Sequence, residues 1–288
     1  MFGYALARRI AVASAARLLI DDTSCFQNDP YRRTYRLGHF NVHTELAQSL
    51  LQFGVLRNIA PKMLRRAGKY SIRARQMFIW QNSTKFEPEL LGLRLKRDVT
   101  WIEPFGQSED YFVDIKQTIV KDFEPKATIL EYNKALQQQI LKSNSVALHA
   151  RWFVDSDQHC KENTSMRYYE TALRTLEQRV GPVKLFVFSD DMQKTMKTFH
   201  HLILGRDVTF VKSENKELQD VTEFQLMRQC KHFIISKSTF AWWAAWLSEA
   251  KDSSCQILYP ATVNHGSESI TAWNFPNQIP MRWQPIAE

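Results

Sequence analysis

The sequence predicts an α/β protein of two domains, the second built on a doubly wound parallel sheet, and three observations support that fold class. The chain has 288 residues, long for one domain and sufficient for two of roughly 100–150, each with a core that needs no disulfides. From about residue 140 short apolar runs alternate with helical patterns, which is βαβα order. Several of those runs are apolar without interruption, as strands covered by helices on both faces must be.

The first domain is expected over residues 1–135. Its opening, MFGYALARRIAVASAARLLIDD, reads as a helix over about 2–17, because Arg8, Arg9 and Arg17 break the continuous apolar stretch that a secretory signal requires. A short strand at RLLID follows, then a loop around Asn28, Asp29 and Pro30, several helical stretches and a strand near WIEPF. The second domain, 136–288, carries the regular alternation. Strands are expected at SVALH (145–149), KLFVFS (184–189), VTFV (208–211), FIIS (233–236) and QILYP (256–260), with helices near 164–180, 218–230 and 239–250. Five such strands joined by crossover helices form a parallel sheet whose ligands lie beyond the carboxyl ends of the strands.

Composition narrows the class. Apolar residues are 44% and charged residues 24% of the chain, ordinary usage for a globular protein, and no apolar run approaches the roughly 18 residues of a membrane span. Cys25, Cys160, Cys230 and Cys255 show no CxxC spacing, so buried thiols in a reducing cytoplasm are expected. Lys and Arg exceed Asp and Glu by 38 to 30, which suits an anionic ligand without choosing among nucleotide, RNA and lipid. No acidic residue lies between Glu45 and Glu87, and Arg57, Lys62, Arg65, Arg66, Lys69, Arg73 and Arg75 crowd into 57–75 among apolar residues. That segment fits either a peripheral contact with anionic headgroups at the inner face of a membrane or a solvated face near a substrate groove. No nucleic-acid motif accompanies it, so no nucleic-acid role is expected.

Polar residues follow three of the strands directly. In SVALHARWF, His149 and Arg151 alternate past the strand and point to one side. A planar guanidinium there can hold a diphosphate through paired hydrogen bonds, or it can pair with a carboxylate and serve the fold. In LFVFSDDMQ, Ser189, Asp190 and Asp191 stand where a helix starts; one residue suffices as an N-cap, leaving a carboxylate for a base or ribose. In FIISKSTFAWWAAWLSE, Ser238 and Thr239 stand at the N-terminus of an apolar helix, whose free amides and dipole favour phosphate. Trp242, Trp243 and Trp246 read as that helix's buried face, with Phe240 placed to reach a ligand. Metal chemistry has little support: no HxxxH or HExxH spacing occurs, and the nearest approach to a DxD triplet is Asp155-Ser156-Asp157. GxSxG and GxxxxGK motifs are also absent.

Taken together, these stretches resemble glycosyltransferase family 11, the α-1,2-fucosyltransferases, whose pattern includes an HxRRxDY-like strand end, an FSDD strand end and an NSTFSWWAAWL segment. Upstream, FGQSEDYF at 105–112 is similar to the family's WQSEKYF, MFGYALARRIA to its MFQYALGRALA, and YRRTYRLGHFNV to the loop after its first helix-strand unit. The likeness covers nearly the whole chain, in matching order. It implies a GT-B-like pair of Rossmann-like domains facing a cleft, GDP-fucose held mainly by the second domain, and no metal or other cofactor. The acceptor implied is a galactose-terminated oligosaccharide or lipid-linked glycan.

Three departures from the family pattern stand out. Trp152 occupies the place of the second Arg of HxRR, and Lys237 stands where the family has Asn before Ser-Thr-Phe, a cation that can restore the lost charge. The family's first strand and GGxGNQ loop precede MFxYA, whereas this sequence starts at Met1 inside that motif, so the first strand is expected to be missing. On the resemblance, Arg151 stabilises the leaving group and Asp155 is the expected general base, with Glu109 the runner-up. His149, Ser189, Asp190, Asp191, Lys237, Ser238, Thr239 and Phe240 are the expected donor-binding residues, and Gln107 and Glu109 lie on the acceptor side. A transferase of another nucleotide deoxysugar, or a binding relative without turnover, are the alternatives.

Overall fold

The computed structural model describes residues 1–23, 26, 34–47, 63, 66–67, 70–95, 99–126, 133–152, 164–212, 217–261 and 276–287. The chain divides into two compact units, Met1–Glu124 with Asn274–Pro280, and Pro125–Trp273 with Met281–Glu288.

The first unit opens with helix α1 (Phe2–Ala13), which buries Phe2, Ala5, Leu6 and Ile10 along one stripe. It stops short of the expected residue 17 because Ala15 takes a left-handed φ of 51°. The Ala16 amide then reaches back to the Ala11 carbonyl at 2.9 Å and the Ala15 amide to Val12 at 3.2 Å, the reversal that closes many helix C-termini. Strands β1 (Leu19–Ile20) and β2 (Glu45–Leu46) pair in parallel. Helix α2 (Ile72–Met77) leads into β3 (Phe78–Trp80), which pairs in parallel with β4 (Trp101–Glu103), the strand expected near WIEPF. Helix α3 (Lys116–Asp122) ends on a buried carboxylate. Asp122 accepts from the Tyr4 hydroxyl at 2.6 Å and from Arg8 Nε at 3.0 Å, and the Tyr4 oxygen accepts from the His43 amide at 2.9 Å. Burial, then the bond to Asp122, push the Tyr4 phenol well above its ordinary range.

After β4 the chain passes under α1 at Gly106. Its φ is +62°, and a Cβ there would sit 2.9 Å from the Phe2 carbonyl oxygen. The amides of Phe105 and Gly106 donate to Gln81 Oε1 at 3.0 and 2.8 Å, and Gln81 Nε2 donates to the Tyr111 hydroxyl at 2.9 Å. The late segment belonging to this unit is held by Gln278 Nε2, which donates to Gln107 Oε1 at 3.2 Å, and by Asn277 Nδ2, which donates to Asp110 Oδ2 at 2.9 Å.

The second unit runs α4 (Lys134–Lys142), β5 (Ser145–Ala150), α5 (Met166–Val180), β6 (Lys184–Ser189), α6 (Met192–Thr198), α7 (His200–Ile203), β7 (Val208–Phe210), α8 (Gln219–Met227), β8 (His232–Ile234), α9 (Thr239–Glu249), β9 (Ile257–Ala261) and β10 (Gln284–Ala287). Its six strands lie in the order β10-β9-β8-β5-β6-β7, and every pair is parallel. Counted from β5, this is the 3-2-1-4-5-6 order of the doubly wound dinucleotide-binding sheet. Central β5 is buried at all six positions, and Val146, Leu148 and Ala150 pack with Tyr168, Leu173 and Leu176 of α5. On α9, Trp242, Trp243 and Trp246 are buried as expected, and Trp242 also meets Trp283 at 5.4 Å. The expected sheet had five strands. The sixth, β10, lies at the sheet edge, where Pro285 can be accommodated without a lost ladder bond.

Gly106→Ala should lower stability by about 2–4 kcal/mol, since it adds a backbone clash to the strain of a positive φ, while Gly205→Ala, with φ +76° and open space, should cost only about 1–2 kcal/mol. Thermal denaturation of both variants checks the ranking; equal shifts would refute the close approach at Phe2.

Candidate active site

Strand β5 is where the sheet reverses its winding: β6 and β7 lie on one side and β8, β9 and β10 on the other. Crossovers leave such a point in opposite directions and open a crevice at the carboxyl ends. The residues delivered there are His149, Arg151 and Trp152 from β5, Ser189, Asp190 and Asp191 from β6, and Ser236 to Phe240 from the turn between β8 and α9. Eight expected residues of the second domain, from three separated stretches of sequence, are thus brought to one edge of one sheet, together with Arg151.

His149 is 5% exposed. Its Nδ1 lies 2.7 Å from the Ser236 hydroxyl across the winding reversal, and its ring stacks on Phe240 with centroids 5.9 Å apart. Phe240 in turn meets Phe224 edge-on at 5.3 Å. Burial first, and the neighbouring Arg151 charge second, lower the imidazole from 6.5 to about 3. His149 is therefore a neutral hydrogen-bonding group at physiological pH.

Asp190 organises the other side of β5. Its Oδ2 lies 3.1 Å from Arg151 Nη1, and its Oδ1 accepts from the Trp152 amide at 2.8 Å, with the carboxylate side chain 7% exposed. Of the two readings of Arg151, pairing with a carboxylate is thus present in the structure, and the pair stands at the mouth of the crevice. Asp191 is the N-cap of α6, accepting from the Lys194 amide at 2.9 Å. The adjacent carboxylates divide between these two tasks. Ser189 Oγ accepts from the Asp191 amide at 3.1 Å and lies 2.7 Å from Thr195 Oγ1.

The indole of Trp152 donates from Nε1 to Thr195 Oγ1 at 2.8 Å, packs against Phe199 at 6.4 Å, and carries the Lys194 ammonium 4.5 Å from its ring centroid. Lys237 is buried at 5% exposure. Ser238 is the N-cap residue of α9, but its side chain makes no capping hydrogen bond, so the first-turn amides of that helix are not taken up by it.

Asp155, the expected base, lies outside the described residues, as does most of the basic segment 57–75, of which Met63 and Tyr70 are exposed. Gln107 and Glu109 belong to the first unit, where Gln107 accepts from Gln278 and Glu109 is buried at the start of the 3-10 turn Glu109–Tyr111. Ser236, Thr195 and Lys194 join the constellation without having been expected. Thr195 and Lys194 follow the Asp191 cap within one helical turn, the signal that locates them.

The model of glycosyl transferase family 11 matches residues 96–269. The chain belongs to glycosyltransferase family 11. This family 11 chain is 28% identical over 253 residues to an alpha-1,2-colitosyltransferase of Escherichia coli, covering 86% of this chain and 83% of that protein. It is 35% identical over 88 residues to the O-antigen biosynthesis glycosyltransferase WbnK of Escherichia coli, covering 30% of this chain and 28% of WbnK. Among solved structures, NodZ alpha-1,6-fucosyltransferase soaked with GDP-fucose superposes with a TM-score of 0.52 at 16% identity, covering 85% of this chain and 87% of NodZ. The GT-B-like α/β fold class expected from the sequence is the fold found.

A pH dependence of stability follows from His149. Its folded value, about 3, lies below the ordinary 6.5, so between those values the unfolded chain takes up a proton that the folded chain refuses. This contribution is fully present above pH 6.5 and is lost as pH falls, by at most about 1.4 kcal/mol per unit. Denaturant titrations of wild type and His149→Gln should show a stability difference that narrows from pH 7.5 to 4.5; parallel pH profiles would count against a buried neutral His149.

Proposed function

We propose that this chain transfers L-fucose from GDP-β-L-fucose to the 2-hydroxyl of a β-galactosyl acceptor, with inversion and without a divalent ion. The observation that carries this reading is the convergence of His149, Arg151, Lys237 and the α9 N-terminus at the winding reversal of a family 11 chain. Inversion needs one displacement at the anomeric carbon, in which positive charge develops on the sugar while negative charge collects on departing GDP. Stabilising that leaving group is the principal task. Arg151 keeps its charge throughout, Lys237 adds a second cation, and the α9 amides with Ser238 and Thr239 offer donors to phosphate oxygens. Neutral His149 serves as a fixed hydrogen-bonding and stacking group; an imidazole pulled down to about 3 is too weak a base for an acceptor hydroxyl near neutral pH. Asp155 is assigned as base, with Glu109 second.

The acceptor is a galactose on a free oligosaccharide or on a lipid-linked glycan. With the latter, segment 57–75 would hold the enzyme at the cytoplasmic face of the membrane through anionic headgroups. A second reading comes from the colitosyltransferase relative, which favours another nucleotide-linked deoxysugar as donor.

Purified chain should transfer fucose from GDP-fucose to β-galactosyl disaccharides in EDTA, and Arg151→Ala should reduce kcat/KM by about 10²–10³. Turnover of a colitosyl donor but not GDP-fucose would move the assignment to the second reading, and full activity of Arg151→Ala would remove that residue from the leaving-group site.

A further inference from the structure

We propose that Lys194 is a further donor-binding residue, whose ammonium, held over the indole of Trp152, contacts the diphosphate of the bound nucleotide. The proposal deepens the reading above and rests on it only in requiring a nucleoside diphosphate.

Placement comes first. Trp152 directly follows Arg151 and β5, Lys194 lies in the first turn of α6 after β6, and these are neighbouring strands of one parallel sheet, so both residues stand at its carboxyl edge. The indole is a fixed platform. Its Nε1 donates to Thr195 Oγ1 at 2.8 Å, its own amide donates to Asp190 at 2.8 Å, and Phe199 packs against it. The Lys194 ammonium lies 4.5 Å from the ring centroid, within cation–π range, although the residue as a whole is exposed. A flexible surface lysine is thereby held at one place on the site's rim.

Charge comes second. The two carboxylates of the neighbouring strand end are already engaged: Asp190 with Arg151 and the Trp152 amide, Asp191 with the backbone amide of Lys194 itself. Among the described residues Lys194 has no carboxylate partner. A ring face attracts a cation without neutralising it, and the N–H groups turned away from the ring remain able to donate to oxygen. Arg151, by contrast, shares its charge with Asp190. A cation with no carboxylate partner among the described residues suits a doubly charged diphosphate, and Trp152 sets its position.

The test is calorimetric binding of GDP, with UDP and ADP in parallel, to the full chain and to Lys194→Ala, Lys194→Arg, Trp152→Leu and the double variant, at about 50 and 200 mM salt. Lys194→Ala should raise the Kd for the bound nucleotide about 5- to 20-fold and lessen its salt dependence, while Lys194→Arg keeps most of the affinity. Trp152→Leu should weaken binding similarly and add little in the double variant, because both changes remove one interaction. With GDP-fucose, Lys194→Ala should raise KM and lower kcat/KM, and Lys194→Arg should restore most of both. An unchanged Kd in Lys194→Ala, an exposed position whose replacement spares the core, overturns the proposal, as would fully additive effects of the two single changes. If wild type binds UDP or ADP in place of GDP and Lys194→Ala weakens it, the lysine's role stands and the GDP-fucose reading falls. If no nucleoside diphosphate binds wild type, both fall.

Discussion

Adjacent parallel strands pair through their backbones only as far as the ladder runs, and beyond it something else must hold their ends in register. For β5 and β6 that is the carboxylate of Asp190, which takes the Trp152 amide on one oxygen and Arg151 on the other. A carboxylate only 7% exposed is tolerated because both oxygens are engaged. The same contact fixes the direction of Arg151 and the backbone of Trp152, whose ring is set in turn by Thr195 and Phe199. On the opposite side of β5, His149 reaches Ser236 and joins the strand end to the turn before α9. A buried acid on one side and a buried neutral base on the other thus flank the end of one strand.

The charge balance follows from that arrangement. Arg151 and buried Lys237 stand near the same crevice, and a third cation at His149 would be opposed by both burial and the Arg151 charge. Keeping the imidazole neutral avoids a further buried charge beside the Arg151 guanidinium and the α9 amides left uncapped by Ser238. Such fixed donors need little rearrangement when negative charge develops on a leaving group, which is the physical advantage of building the site on strand ends and a helix start instead of long loops.

Much of the second unit was legible because its strands are buried on both faces: KLFVFS appears as β6 with the expected bounds, and the helices at Met166 and Thr239 begin within two residues of expectation. β10 was not legible, since a strand at a sheet edge containing Pro285 has neither an apolar run nor alternation to mark it. The first unit was harder for the same kind of reason. Its strands are two or three residues long, and the stop of α1 depends on a left-handed alanine, a conformation that no composition rule assigns to Ala. At the site, residue types and strand ends were readable, but the partition of roles was not. Nothing in FSDD says that the first carboxylate pairs with Arg151 while the second caps α6; that choice is made by the distance between neighbouring strand ends.

Trp152 shows how a departure from family pattern is absorbed. An indole at the place where the resemblance expects a second Arg brings no charge past the end of β5, and its large ring must be packed and hydrogen-bonded. The ring packs on Phe199 and gives its N–H to Thr195, one turn into α6. Lys237, which lies in a recognisable motif, is the compensating cation that the sequence suggests. In the structure Lys194 is the cation on the new ring, and it stands in a helix turn that no motif marks. An aromatic side chain can organise positive charge at a strand end, because its face attracts a lysine from the next element. At this strand edge the cation on the ring thus comes from the next element, Lys194 of α6, and not from the residue that follows Arg151.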